Sequence, residues 1–258
     1  MIKDISNIIV RASELMLSDD IQIEQKNGFA DIVTSSDIAV QDFLRSELSR
    51  LIPDSGFLCE EEDRHNLKHE YNWIIDPIDG TANYSRGIKE CAICVGLKHF
   101  DEITHSTVYL PRASEMFTAE KGKGAFLNGR PIHVSNRPFQ DALLCTALSV
   151  YHKEHAQVCS EIIVDAFQRC NDIRRFGAAA PELCYIAMGR CEMYFEYILS
   201  PWDFAAASLI LTEAGGVMCD LDGNIPDPTL PTGLIAANSL ANLRQMQEIV
   251  MKHRSNHN

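Results

Sequence analysis

The stretch WIIDPIDGTANY, from Trp73 to Tyr84, sets Asp76 and Asp79 on either side of a Pro-Ile pair and directly before Gly-Thr. Trp73, Ile74 and Ile75 read as the end of a buried strand. Pro77 lacks the N–H that a sheet ladder or a helix interior uses, so the chain is expected to turn where the carboxylates appear. Asp79-Gly80 is itself a turn dipeptide, which accounts for one aspartate without any function. The surrounding chain has to say whether the pair is more than turn chemistry.

Upstream, Ile2, Ile5, Ile9, Ala12, Leu15 and Met16 recur at helical spacing, as do Val40, Phe43, Leu44, Leu48 and Leu51 ahead of Pro53. Two amphipathic helices are predicted to open the chain. From Gly56 to about Val134, short apolar runs alternate with turn signals: GFLC, YNWII, CAICVGLKHF, ITHSTVYL, EMFTA and AFLNGRPIHV. These predict an antiparallel sheet, with a hairpin at Asn128-Gly129. After Asp141 strands and helices alternate: ALLCTALS, a helix from His152 to Arg169, DIRRF, a helix from Ala179 to Met188, CEMYFEY, a helix after Pro201, GVMCD, GLIAAN and a final helix. That half reads as layered α/β. Neither a low-complexity linker nor an internal repeat divides the chain, so residues 1–258 are read as one domain with soft halves, 1–135 and 136–258. The terminal HRSNHN is expected to fray.

The chain has 258 residues and a net charge of −13, which disfavours nucleic-acid backbones and anionic membranes as partners. An anionic substrate therefore needs a local cation. The opening MIKDISNIIVRASELMLSDD has no signal-peptide core, and no run approaches the roughly 18 apolar residues of a membrane span. Nine cysteines without framework spacing fit reduced thiols and a cytoplasmic location. Cys91 and Cys94 form a C-x-x-C inside a strand pattern, where they point to opposite faces, and no second pair follows. His152 and His155 in YHKEH lack the glutamate of a zincin motif and read as solvated.

Acidic residues recur at strand ends and helix starts. GFLCEEED ends a strand with Glu60, Glu61 and Glu62, and SPWDFAAASLILTEAGG puts Asp203 in the first turn of a helix with Ser200 as its cap and Pro201 at its first position. Taken singly, each is a solvated loop or a favourable charge at a helix start. Strand ends in an α/β layer gather at one edge, however, and carboxylates about 4 Å apart repel by about 4 kcal/mol at an effective dielectric of 20. Such a cluster calls for a cation. Hard oxygen donors without His or Cys favour Mg²⁺ or Mn²⁺ over zinc. The Gly80 and Thr81 amides beside it would suit an anion, which suggests phosphate chemistry.

These residues resemble the inositol monophosphatase family of Mg²⁺-dependent, lithium-sensitive phosphatases. CEEED is similar to the family's Glu-Glu element, WIIDPIDGTANY to W-x-x-D-P-x-D-G-T-x-N-[FY], and PWDFAAASLILTEAGG to W-D-x-A-A-x-x-L-I-x-x-E-A-G-G. The likeness runs from DIVTSSD to GLIAAN. It implies an αβαβα sandwich of the inositol monophosphatase and fructose-1,6-bisphosphatase type, a homodimer, and two or three Mg²⁺ ions per site. By the same resemblance Glu61, Asp76 and the Ile78 carbonyl hold one ion, Asp76, Asp79 and Asp203 a second, and Glu61 shares a third. Gly80 and Thr81 cradle phosphate. Asp37 accepts a hydrogen bond from Thr81, which orients the attacking water.

Glu196 matches the family glutamate that meets substrate hydroxyls, and Phe176–Leu183 the loop and helix beside the substrate ring. The sequence departs from the family at Ala178, where a threonine is common, and at Ala207, where many members have glycine. The resemblance thus implies hydrolysis of a small phosphorylated polyol, with inositol monophosphate first. Fructose 1,6-bisphosphate, 3'-phosphoadenosine 5'-phosphate and histidinol phosphate are alternatives with the same chemistry. Regulatory binding to RNA polymerase is an alternative of another class. Lys26 and Asp31 are peripheral candidates, and Glu60 and Glu62 read as bystanders.

Overall fold

A computed structural model describes residues 1–17, 22–25, 32–61 and 67–255. Lys26, Asp31, Glu62 and the last three residues of the tail lie outside them. Helix α1 (Ile2–Met16) buries Ile5, Ile8, Ile9, Ala12 and Met16, while Leu15 lies off that stripe and faces solvent. A short hairpin, β1 (Ile23–Gln25) and β2 (Ile32–Thr34), leads into α2 (Ser35–Leu51). Thr34 and Asp37 form a capping box at its start: the Thr34 amide donates to Asp37 Oδ2 at 2.8 Å.

The first sheet has seven strands in the order β3-β4-β5-β6-β7-β8-β9. They are β3 (Gly56–Cys59), β4 (Tyr71–Asp79), β5 (Ala92–His99), β6 (Glu102–Leu110), β7 (Glu115–Glu120), β8 (Ala125–Leu127) and β9 (Arg130–Ile132), with α3 (Thr81–Tyr84) between β4 and β5. All neighbours are antiparallel except β3 and β4, which run parallel, so the sheet is mixed where the turn pattern predicted a purely antiparallel one. Asn128 and Gly129 both take positive φ in the tight β8–β9 turn, as read from the sequence.

The second sheet has the order β11-β10-β12-β14-β13: β10 (Leu143–Thr146), β11 (Asp172–Arg174), β12 (Met193–Leu199), β13 (Val217–Cys219) and β14 (Thr232–Ala237). Its helices are α4 (Ala156–Phe167), α5 (Ala179–Ala187), α6 (Pro201–Glu213) and α7 (Leu240–Arg254). Alternation along β4 explains the layering. Trp73 and Ile75 pack with α1 and α2, and Ile74 points the other way, into a core shared with α5, α6 and the inner face of the second sheet. Leu144, Phe195 and Ile235 close the outer face of that sheet under α4 and α7. The result is an α-β-α-β-α sandwich. Cys91 and Cys94 fall in different cores on opposite sides of the first sheet, which removes them as a ligand pair.

Helix α6 is apolar nearly all round because it lies between two sheets. Both of its ends are tied by carboxylates. At its start the Ser200 amide donates to Asp203 Oδ2 at 2.8 Å, and at its end Glu213 accepts the amides of Gly122 and Gly124, each at 2.7 Å.

The expected turn at Pro77 is corrected. Strand β4 runs on through Pro77 to Asp79, and its register against β5 slips between the pairs Asp76–Cys94 and Asp79–Ala92. Three steps on one strand match two on the other, which is a bulge, and a bulge tolerates a residue without an N–H. The chain turns only at Gly80, with φ +84°. A Cβ there would stand 2.9 Å from the Ala178 Cβ and 3.0 Å from the Glu90 carbonyl oxygen. Gly80→Ala is therefore expected to cost about 2 kcal/mol from the left-handed backbone alone. A thermal melt should show this as a fall in Tm of about 4–8 °C.

Candidate active site

The bulge delivers Asp76 and Asp79 to the same cavity, one of about 600 Å³ between the two sheets. Asp76 is 1% exposed and Asp79 7%. Asp76 Oδ1 accepts the Ile78 amide at 2.9 Å, which fixes the bulge from within. Asp79 reaches across to the second half of the chain, where its oxygens accept the Ala179 amide at 3.3 Å and the Ala180 amide at 2.6 Å. Asp203 enters from the start of α6. Three carboxylates from two distant motifs thus line one cavity.

The leading charges bearing on Asp76 are negative: Glu60, Asp79, Asp203 and Asp37. Burial first, and these neighbours second, push its carboxyl well above the ordinary range. Asp203 is raised in the same way by burial, then by Asp79 and Glu60. Burial lifts Asp79 to about 7 against the pull of its two backbone donors. This donor set, all carboxylate and carbonyl oxygen, fits a hard divalent cation. Among the described residues no group of three or more His, Cys, Asp or Glu side chains stands close enough to hold a metal ion by itself.

Glu60, read as a bystander, lines the cavity, and its charge is felt at Asp76 and Asp203. Glu61 is not among the lining residues. Its main chain is held by Gln41, which accepts the Glu61 amide at 3.0 Å and donates to its carbonyl at 3.2 Å, and its charge is felt at Asp37. Adjacent residues leaving a strand point opposite ways, so a run of three glutamates does not reveal which one faces inward.

Thr81 Oγ1 lies 3.2 Å from Asp37 Oδ1 and 3.0 Å from the Ile78 carbonyl oxygen. Asp37 is fully buried, and burial lifts its carboxyl to about 6 even though Thr34 donates to it twice. Gly80 and Thr81 line the cavity floor, next to Asn83 and Ala178. Glu196, Tyr194, Arg175 and Glu182 line the same cavity. The Tyr194 hydroxyl donates to Glu196, while burial holds the Glu196 carboxyl up at about 7 against Tyr194 and Arg175. Burial also raises Glu182, to about 8. His152, read as solvated, is half-buried on the cavity wall. Tyr194 and Arg175 carried no signal of their own, and Glu182 was marked only as part of the Phe176–Leu183 segment, because a linear pattern does not say which side chains turn into a cavity between two sheets.

The family model described as "Inositol monophosphatase family" matches residues 3–258. A relative from Neisseria meningitidis, named "Putative Nus factor SuhB", is 36% identical over 250 residues, covering 94% of this chain and 95% of its own. The crystal structure of the Thermotoga maritima IMPase is similar with a TM-score of 0.86 and 28% identity, over 98% of this chain and 97% of that one. A structure described as IMPase/NADP phosphatase complexed with Mg²⁺ and phosphate is similar with a TM-score of 0.83 and 26% identity, over 96% and 90% of the two chains. With the sandwich, the bulged Asp-Pro-Ile-Asp and a match along nearly the full length, the chain belongs to the inositol monophosphatase family.

Proposed function

We propose that the chain is a Mg²⁺-dependent phosphatase of small phosphorylated polyols, with inositol monophosphate as the first substrate. The observation that carries this reading is the convergence of Asp76, Asp79, Asp203 and Glu60 beside the Gly80-Thr81 turn, in a cavity also lined by Glu196 and Tyr194. Asp76, Asp79, Asp203, the Ile78 carbonyl and the Glu60-Glu61 pair would hold two or three ions. Bound Mg²⁺ supplies positive charge that lowers the pKa of water and offsets charge on the attacking and leaving oxygens. The Gly80 and Thr81 amides receive the phosphoryl oxygens. Asp37 orients the Thr81 hydroxyl, which aligns the attacking water with phosphorus. Glu196 accepts hydrogen bonds from hydroxyls of the leaving group. Fructose 1,6-bisphosphate, 3'-phosphoadenosine 5'-phosphate and histidinol phosphate share this chemistry, and Ala178, lacking a hydroxyl, leaves the choice to Glu196 and its neighbours.

A second reading, regulatory binding to RNA polymerase, is favoured by relatives named as Nus factors. A polymerase pull-down with purified chain separates the two. The family resemblance also carries the expectations of a homodimer, lithium sensitivity and a cytoplasmic location. Among the described residues no helix is long and apolar enough to cross a membrane.

Chelation is the first test. EDTA should abolish phosphate release and Mg²⁺ restore it. Asp203→Asn should keep the fold, since asparagine also suits a helix start, and should lower kcat by more than about a hundredfold. Full activity in EDTA would remove the metal mechanism.

Glu196 is tested by selectivity. Glu196→Gln should lower kcat/KM for inositol 1-phosphate by about one to two powers of ten and leave an aryl phosphate nearly untouched. A ratio equal to that of wild type would take Glu196 out of the substrate site.

The raised carboxyls also set a pH dependence. Asp37 near 6, Asp79 and Glu196 near 7 and Glu182 near 8 bind more protons folded than unfolded. Stability of the metal-free protein therefore falls as pH rises from about 4 through about 8. Melting curves without metal should show a higher Tm at pH 5.5 than at pH 8, with added Mg²⁺ closing the gap. A metal-free Tm that rises over that interval would contradict the assignment.

A further inference from the structure

Helix α5 starts behind Ala178, whose methyl group cannot cap it, so its first amides depend on acceptors from elsewhere. Two carboxylates provide them. Asp79 arrives from β4 of the other sheet and takes the Ala179 and Ala180 amides. Glu182, one turn into the helix, bends back so that its Oε1 accepts the Phe176 amide at 2.7 Å and the Gly177 amide at 2.9 Å. Asn83 grips the same loop from the other side. Its Nδ2 lies 2.7 Å from the Phe176 carbonyl oxygen and 2.7 Å from that of Glu90. Gly177 takes φ +87°, and a Cβ there would stand 3.3 Å from the Asn83 amide. The loop Phe176–Ala178 is thus wedged between the Gly80 turn and α5, with no slack on either side.

Glu182 is 2% exposed, and its second oxygen, Oε2, is buried without a hydrogen-bond partner. Stability alone does not favour an acid with one oxygen unmatched. We propose that Glu182 is a positioning residue for the cation site: by fixing Phe176 and Gly177 it sets where the Ala179 and Ala180 amides stand, and through them the orientation of Asp79. This rests on the metal-dependent reading above. It makes Mg²⁺ affinity depend on a side chain that acts through the Phe176–Ala178 loop.

The test measures Mg²⁺ binding by calorimetry, and Mg²⁺ half-saturation of aryl phosphate hydrolysis, in wild type, Glu182→Gln and Glu182→Ala. Glutamine keeps an acceptor for the two amides, so both constants should stay within about twofold of wild type. Alanine removes it, and both should rise about tenfold, with KM for the aryl phosphate at saturating Mg²⁺ little changed. A Glu182→Ala protein that melts lower yet binds Mg²⁺ like wild type would show a merely structural role and overturn the proposal. If that variant does not fold, Asn83→Ala frees the same loop from its other side, and an unaltered Mg²⁺ constant there overturns the proposal equally. Wild type that binds no Mg²⁺ and ignores EDTA would overturn the phosphatase reading and this one with it, whereas failure in the variants alone leaves the phosphatase reading standing.

Discussion

Carboxylates tied to the starts of helices hold this structure together and define its site. Asp37 closes the capping box of α2, Asp203 bonds the first amide of the α6 cap, and Asp79 caps α5 from a strand in the other sheet. Each is thereby held in one orientation before any ligand arrives. A helix start offsets a negative charge by only about 0.3–1 kcal/mol. Repulsion between two carboxylates about 4 Å apart is about 4 kcal/mol at an effective dielectric of 20. Helix ends can orient the acids but cannot neutralise them, and the remainder has to come from protons or from bound cations.

The same carboxylates couple the two sheets. Asp79 belongs to β4 by chain and to α5 by hydrogen bonding, and Gly80 packs against Ala178 so closely that position 80 has no room for a larger group. A cavity built across such a seam draws Asp76, Asp79 and Asp203 from β4 and α6 and further lining from β12 and α5. Geometry at the seam is therefore a property of the whole sandwich rather than of any one motif.

Local chemistry was readable where it is local. Strand β4 announced itself in Trp73-Ile-Ile, the α6 cap in Ser-Pro-Trp-Asp, and the β8–β9 hairpin in Asn128-Gly129, since each depends on residues within a few positions of one another. Pro77 misled because a missing N–H argues against a regular ladder but not against a bulge, and only the partner strand decides between them. Glu60 and Glu61 could not be told apart, because their facing depends on how the chain leaves β3 and on Gln41, which comes from α2. Glu182, inside the flagged Phe176–Leu183 segment, was not singled out for a related reason. Its meaning lies in an unfilled cap at Ala178 and in an aspartate a hundred residues earlier.

Helix α6 carries a further consequence through the tether at its far end. With thirteen residues it spans about 20 Å, and the Glu213 bonds to Gly122 and Gly124 pin its far end to the connection between β7 and β8. A rod pinned there cannot slip along its axis or rotate by a fraction of a turn without breaking a charged contact. The connection at residues 121–124 therefore acts as a remote adjuster for Asp203. Insertions or deletions tolerated in most surface turns would here be transmitted along the rod, so sequence drift in that connection is tied to the tuning of a site two nanometres away.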